Sequence, residues 1–410
     1  MLSSRYIMKT CTLLLVVLTC TQIVVAQKDC SRSPLGRLPV SDMSNSTWNG
    51  IRGGLYPEGR ALPPSDKLSQ YETTIDAIEP RSLDGSINST DGKIVMIGVG
   101  ASNPRTEFNA FVALATSDPT LNKSVMFANT CVGGQGVQKM NQPADSYWKN
   151  AAHVLDSIGC SVSQVQIAWI ETDNTQKSDT TFPGAAQGLA DDLFILCTTM
   201  QSLYPNLKVI YFSSRSYAGY IDPATALAGK GLLSPRDYLN GWAIKFLIER
   251  QIVGTPGYAF TGVASDLPAL MWCTDNWADG TTPKLDGLFW HCDDFSGDGL
   301  HLSPLGEEKS GARIHSFFST DPIAQRWYHA QSTTSVADYS TSENPRSMYS
   351  VGPVLILESA TPALAAIYNV QGELTWTAFI ESSTQIPTSG FTPGLYLVRI
   401  GERTSFYLRP

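Results

Sequence analysis

Histidine is scarce in this chain, five in 410 residues, so any imidazole chemistry is easy to enumerate. No cysteine or histidine shows the close paired spacing of a zinc site, the tightest neighbours being His291 and Cys292, so no metal is expected. No glycine loop is followed by Gly-Lys-Ser/Thr and no dinucleotide fingerprint is present, which argues against phosphate-loop and nicotinamide chemistry and leaves no cofactor implied. A basic excess is also missing: 29 Lys and Arg stand against 37 Asp and Glu, a net charge of -8, which weighs against a general nucleic-acid binder. Charged residues make up only 16% and hydrophobic ones 42%, so the chain has material for a core and is not read as disordered.

What is there begins with an export pattern. Arg5 and Lys9 precede an apolar run from Leu13 to Val25, ending in Val24-Val25-Ala26, so residues 1–26 read as a cleaved signal with the mature chain starting at Gln27. A membrane anchor is disfavoured because the run is shorter than the ~20 apolar residues a spanning helix needs, and no later segment is long enough. Cys11 and Cys20 fall in this segment, leaving Cys30, Cys131, Cys160, Cys197, Cys273 and Cys292, an even set that permits disulfides without fixing their pairing.

Residues 27–90 are rich in Pro, Gly, Ser and Asn and read as a loop-dominated lead-in packed on the next domain. From 91 to 328, β-branched runs alternate with longer amphipathic stretches, the mark of a parallel sheet covered by helices. Strands are expected at Ile94 to Val99, Ser124 to Asn129, Val165 to Ile170, Lys208 to Phe212 and Leu270 to Cys273. Helices are expected at Thr106 to Thr116, Ala144 to Ile158, Ala185 to Tyr204, Pro235 to Glu249 and Gly306 to Phe318. Ligands of such sheets sit beyond the carboxyl ends of the strands, which directs attention to the residues just after each run.

After the first run, Gly98-Val99-Gly100-Ala101-Ser102-Asn103 places Ser102 at a strand-to-helix turn, where a hydroxyl is exposed and helix N–H groups face a developing oxyanion. Taken alone, Ser102 or Asn103 reads equally as a helix cap. After the second run comes a glycine cluster, Gly133-Gly134-Gln135-Gly136, and after the third Glu171-Thr172-Asp173-Asn174. The strongest signal is Asp298-Gly299-Leu300-His301 before the last helix: a carboxylate three residues before an imidazole can orient it as a base. His153 and His315 fall in expected helices and His329 lies beyond the last one. That leaves His291, with Asp293 and Asp294, as the rival and as the basis of a metal-dependent alternative.

In this order the four pieces resemble the SGNH/GDSL serine hydrolases. The first block, a Gly-Asp-Ser turn, is matched by Gly100-Ala101-Ser102 with Ala101 in place of the acid. The second supplies an oxyanion glycine, best matched by Gly134. The third, Gly-x-Asn-Asp, is altered, with Asn174 as the candidate amide and Asp173 or Asn103 as alternatives. The last, Asp-x-x-His, is met by Asp298 and His301. The resemblance implies a three-layer α/β/α sandwich with a flavodoxin-like five-stranded parallel sheet. It also implies an esterase with Ser102 as nucleophile, His301 as base, Asp298 as its orienting acid, and Ser102, Gly134 and Asn174 as the oxyanion hole. Arg215, Tyr217 and Trp277 are candidates for contacting the substrate, for which an acetylated polysaccharide is the leading expectation.

Residues 329–350, rich in Ser and Thr, read as a linker. The remainder, 351–410, alternates like short strands at Val354 to Leu357, Ala366 to Val370, Leu374 to Phe379 and Leu395 to Ile400, which suggests a small all-β sandwich. Ala366 to Leu374 and Pro393 to Ile400 are similar to the C-terminal sorting domain of type IX secretion, which implies that machinery as a partner and a secreted or cell-surface location. An inactive surface carbohydrate-binding protein on the same scaffold is the alternative that the altered blocks keep open.

Overall fold

A computed structural model describes residues 27–32, 34–44, 46–224, 230–261, 267–330 and 348–409, the last stretch with breaks at 352–353, 360–361, 370–373, 393 and 401–402. The expected signal and most of the expected linker therefore lie outside the described residues. The chain divides into two compact units, Met1–Gln331 and Ser332–Pro410.

The first unit opens with a short hairpin, β1 (Thr47–Trp48) and β2 (Ile51–Arg52), and a helix, α1 (Ser65–Asp76). The α/β alternation then runs β3 (Ile94–Gly100), α2 (Ser102–Ser117), β4 (Val125–Asn129), α3 (Ser146–Ser157), β5 (Val165–Glu171), α4 (Gly184–Leu203), β6 (Val209–Phe212), α5 (Arg236–Ile252), β7 (Ala269–Trp272), α6 (Pro304–Thr320) and α7 (Gln325–Tyr328). All five strands β3 to β7 are parallel, in the order β4-β3-β5-β6-β7, with helices on both faces. The expected α/β/α class and flavodoxin-like order hold.

The near-continuous apolar character of the strands follows from that burial. Every residue of β3 and β5 is buried. Val95, Ile97 and Val99 point into a core with Leu155, Leu189 and Trp242, while Ile94 and Met96 point into a second core with Phe108, Phe111, Ile314 and Phe318. Each such side chain contributes about 1.5–3 kcal/mol on burial. Tyr217 and Trp277 belong to the first core.

The lead-in departs from expectation in carrying α1, whose narrow stripe of Leu68, Tyr71 and Ile75 packs on the second core. Backbone and side-chain hydrogen bonds fasten it to the α/β body: Lys28 N donates to Gly297 O, Asp29 N to Tyr220 O, and Leu35 and Arg37 N–H to the Asp279 carboxylate. Cys30 is disulfide-bonded to Cys292, 262 residues away, while Cys131, Cys160, Cys197 and Cys273 are buried thiols. Removing the bridge in a Cys30→Ala/Cys292→Ala protein is expected to cost about 2–5 kcal/mol, because so long a closed loop constrains the unfolded chain strongly. Urea unfolding checks this, and an unchanged midpoint would mean that packing alone holds the lead-in.

The second unit is all antiparallel: β8 (Met348–Val351), β9 (Val354–Glu358), β10 (Ala363–Asn369), β11 (Leu374–Ile380), β12 (Ser383–Pro387), β13 (Gly394–Ile400) and β14 (Arg403–Arg409). These form one sheet in the order β11-β10-β13-β14 and another in the order β12-β9-β8, sharing a core that includes Leu355, Leu357, Ile367, Ile386 and Val398. Strand β8 begins at Met348, inside the expected linker, and β12 and β14 were not anticipated. Among the described residues no helix is long and apolar enough to cross a membrane.

Candidate active site

The site lies at the carboxyl edge of the sheet, at the end of β3, the second strand in the order, where the chain order reverses and neighbouring crossovers leave in opposite directions. Gly100 ends β3 with φ 156°, and a Cβ there would stand 2.2 Å from Glu171 O and 2.4 Å from the Pro104 ring, so only glycine lets β3 turn into α2 at this point. The Gly100 N–H donates to the Tyr147 hydroxyl at 3.0 Å, which further fixes the turn. Ser102 follows as the first residue of α2, where backbone N–H groups have no intrahelical partner.

Ser102 Oγ lies 2.8 Å from His301 Nε2, and His301 Nδ1 lies 2.5 Å from Asp298 Oδ2. The other carboxylate oxygen, Asp298 Oδ1, accepts the backbone N–H groups of Leu300 and His301, both at 3.0 Å. Burial by itself would raise the Asp298 carboxyl, but the imidazole and these two N–H donors outweigh it and hold the acid down to about 2. The hydrogen bond to Asp298 in turn raises His301 above its ordinary value, against the opposing effect of its own burial. The three residues thus form a hydrogen-bonded relay in which the imidazole is oriented by an ionised carboxylate and faces a hydroxyl.

Asn103 has a structural job at this point. Its Nδ2 donates to Leu300 O at 2.9 Å and its Oδ1 accepts Leu302 N–H at 3.3 Å, so one amide grips the backbone on both sides of His301.

Ser102 opens onto a cleft bordered by Ala101, Pro104, Gly134, Gly136, Glu171, Thr172, Asp173, Thr175, Arg215, Leu232 and Leu300. Gly134 is in the left-handed region at φ 72°, and among the described residues neither its N–H nor that of Ser102 has a protein acceptor. Two N–H donors at the cleft are therefore available to a ligand.

Asn174 does not join them. Its Nδ2 donates to Asp192 of α4 at 2.9 Å and its Oδ1 accepts Gln176 N–H, so the amide is committed on the far side of the turn. Asp173 borders the cleft instead, as a buried carboxylate held by Arg236 at 2.9 Å and Arg215 at 3.3 Å. Arg215 does reach the cleft, with further bonds to Gly231 O and Leu232 O. Tyr217 and Trp277 do not: both are buried, and the Trp277 Nε1 hydrogen bond goes to Asp237. Their aromatic area serves packing, which composition alone does not distinguish from ligand contact.

The rival cluster is not assembled. Asp294 accepts the His291 N–H and pairs with Lys309, while the Asp293 side chain is 92% exposed.

Glu107 escaped sequence reading, and Glu171 was noted only as a member of the polar group that follows the third strand. In sequence Glu107 is an ordinary acid of an amphipathic helix beside Phe108, and nothing marks it for the site. Compared with models of protein families and with curated protein sequences, the chain gives no match, so its chemistry rests on the geometry above.

Proposed function

We propose that the first unit is a serine esterase of the SGNH type, acting by acyl transfer. The observation that carries this reading is the unbroken relay from Ser102 Oγ through His301 to Asp298. His301 takes the hydroxyl proton as Ser102 attacks an ester carbonyl, and Asp298 stabilises the imidazolium that forms. The tetrahedral oxyanion receives the N–H groups of Ser102 and Gly134, each donor contributing on the order of 3 kcal/mol. Arg215 adds positive potential on the wall where an amide was expected. The imidazolium then protonates the departing alcohol, and water, deprotonated by the same ring, releases the acid. No step needs a cofactor.

The cleft encloses only about 70 Å³, far below the roughly 300–1,000 Å³ of sites for larger ligands, which favours a short acyl group such as acetyl. Removal of acetyl groups from an extracellular polysaccharide remains our preferred substrate reading. Export is supported by the N-terminal pattern and by the Cys30–Cys292 disulfide, a bond typical of oxidising compartments. The all-β second unit suits delivery by type IX secretion. The altered blocks sustain a second reading, an inactive surface protein that binds carbohydrate.

A fluorophosphonate separates the two. The esterase reading expects rapid covalent labelling at Ser102, because only an activated hydroxyl displaces the leaving group. A folded protein that stays unlabelled would favour the binding role.

A further inference from the structure

Beneath the relay lies a pair of acids that the acyl-transfer steps do not use. Glu107, on α2, is 0% exposed and Glu171, at the end of β5, is 2% exposed. Their side chains lie against each other, and two carboxylates can share a hydrogen bond only with a proton between them. Glu107 Oε2 also accepts the Ser310 hydroxyl from α6, while Glu107 Oε1 and Glu171 Oε2 meet no donor among the described residues.

The surroundings offer little compensation for a second negative charge. Arg215, beyond β6, is the cation acting on both acids, and it is already engaged by Asp173. Glu307 of α6 opposes ionisation of Glu107, and Cys131, beyond β4, feels both acids as a buried thiol. Burial pushes both carboxyl groups above the usual carboxylate range, and the charge of Glu107 pushes Glu171 further.

The elements joined here are the ones that carry the site. Glu107 shares its helix with Ser102, Ser310 is on the helix that follows His301, and Glu171 borders the cleft. Helices α2 and α6 touch closely enough that a Cβ on Gly311 would lie 2.5 Å from Ala110 Cβ. We propose that Glu107 and Glu171 share one proton as a positioning clamp, which holds the cleft wall against the Ser102 helix and opens when alkali removes that proton. Both acids are positioning residues. The kinetic part of the proposal rests on the esterase reading, whereas the shared proton does not.

The sign of the effect follows from proton counting. A folded state that keeps a proton its unfolded state has lost becomes less stable as pH rises from the ordinary Glu range until the folded proton leaves. In Glu107→Gln the new amide donates to the Glu171 carboxylate, so the charge is kept and no proton is required. Relative to that variant, the unfolding equilibrium constant of the parent should rise about tenfold per pH unit between roughly pH 6 and 8, measured by urea unfolding. The parent should also show the infrared C=O stretch of a protonated carboxyl at pH 7, absent from Glu107→Gln and from Glu171→Gln. The rate of Ser102 labelling should fall at alkaline pH in the parent and not in Glu107→Gln.

Equal pH slopes, or no protonated-carboxyl band that the substitutions remove, would overturn the shared proton. An alkaline fall in labelling common to parent and variant would overturn the positioning role. If the parent is never labelled, the esterase reading fails, and unfolding and infrared data still decide the proton. Should Glu107→Gln not fold, Glu171→Gln, whose amide donates to Glu107, serves in its place, and the parent's infrared band decides if neither folds.

Discussion

A Ser102→Ala protein is expected to lose ester hydrolysis by about 10⁴-fold or more while folding normally. Truncating a nucleophile of this kind disables the whole relay, and what activity persists comes from the remaining oxyanion donors and binding. The hydroxyl makes its one side-chain hydrogen bond, among the described residues, to His301, and the helix behind it is held by Phe108 and Phe111 in the core. Stability should therefore change by no more than about 0.5–1 kcal/mol. Measuring kcat/KM for p-nitrophenyl acetate alongside a thermal melt separates chemistry from folding. Comparable rates in variant and parent would remove Ser102 from the reaction.

Asp298→Asn should be nearly as damaging, by about 10³- to 10⁴-fold in kcat, for a different reason. The amide oxygen can still accept the N–H groups of Leu300 and His301, which fixes the amide nitrogen toward His301 Nδ1. A donor at that position forces the ring proton onto Nε2, the atom that must accept from Ser102. The pH profile carries a second signature. His301 must be neutral to act as base, and Asp298 raises its titration, so the parent's activity should climb through a pH above the ordinary histidine value. Without that carboxylate the residual activity of Asp298→Asn should climb at a lower pH. An acid limb unmoved by the substitution would mean that another group controls it.

The parallel sheet was legible because strands buried on both faces cannot alternate in polarity, and β3 displays this along its whole length. Asp298 and His301 were legible because their relation is local, set within one short loop. What was hidden depended on geometry that no short stretch encodes. Asn174 and Asp173 are neighbours at a strand end, and which of them faces the cleft is decided by how the chain leaves the sheet toward α4. Helix α1 has too thin an apolar stripe to announce itself, and β12 is a run of Ser, Thr and Gln with Ile386 its one side chain in the core. The meeting of Glu107 with Glu171 joins a helix to a strand across a crossover, leaving only the oddity of an acid beside Phe108 and another closing an apolar strand.

The grip of Asn103 on the residues flanking His301 has a consequence for how such a molecule diversifies. Because the residue next to Ser102 anchors the His301 loop directly, the separation of Ser102 Oγ from His301 Nε2 is set on the spot. It is not transmitted along the sequence separation of 199 that divides them. Segments at the rim of the opening are then at liberty to lengthen, shorten or change character over generations. What is admitted to the opening can be rewritten while the chemistry inside stays intact.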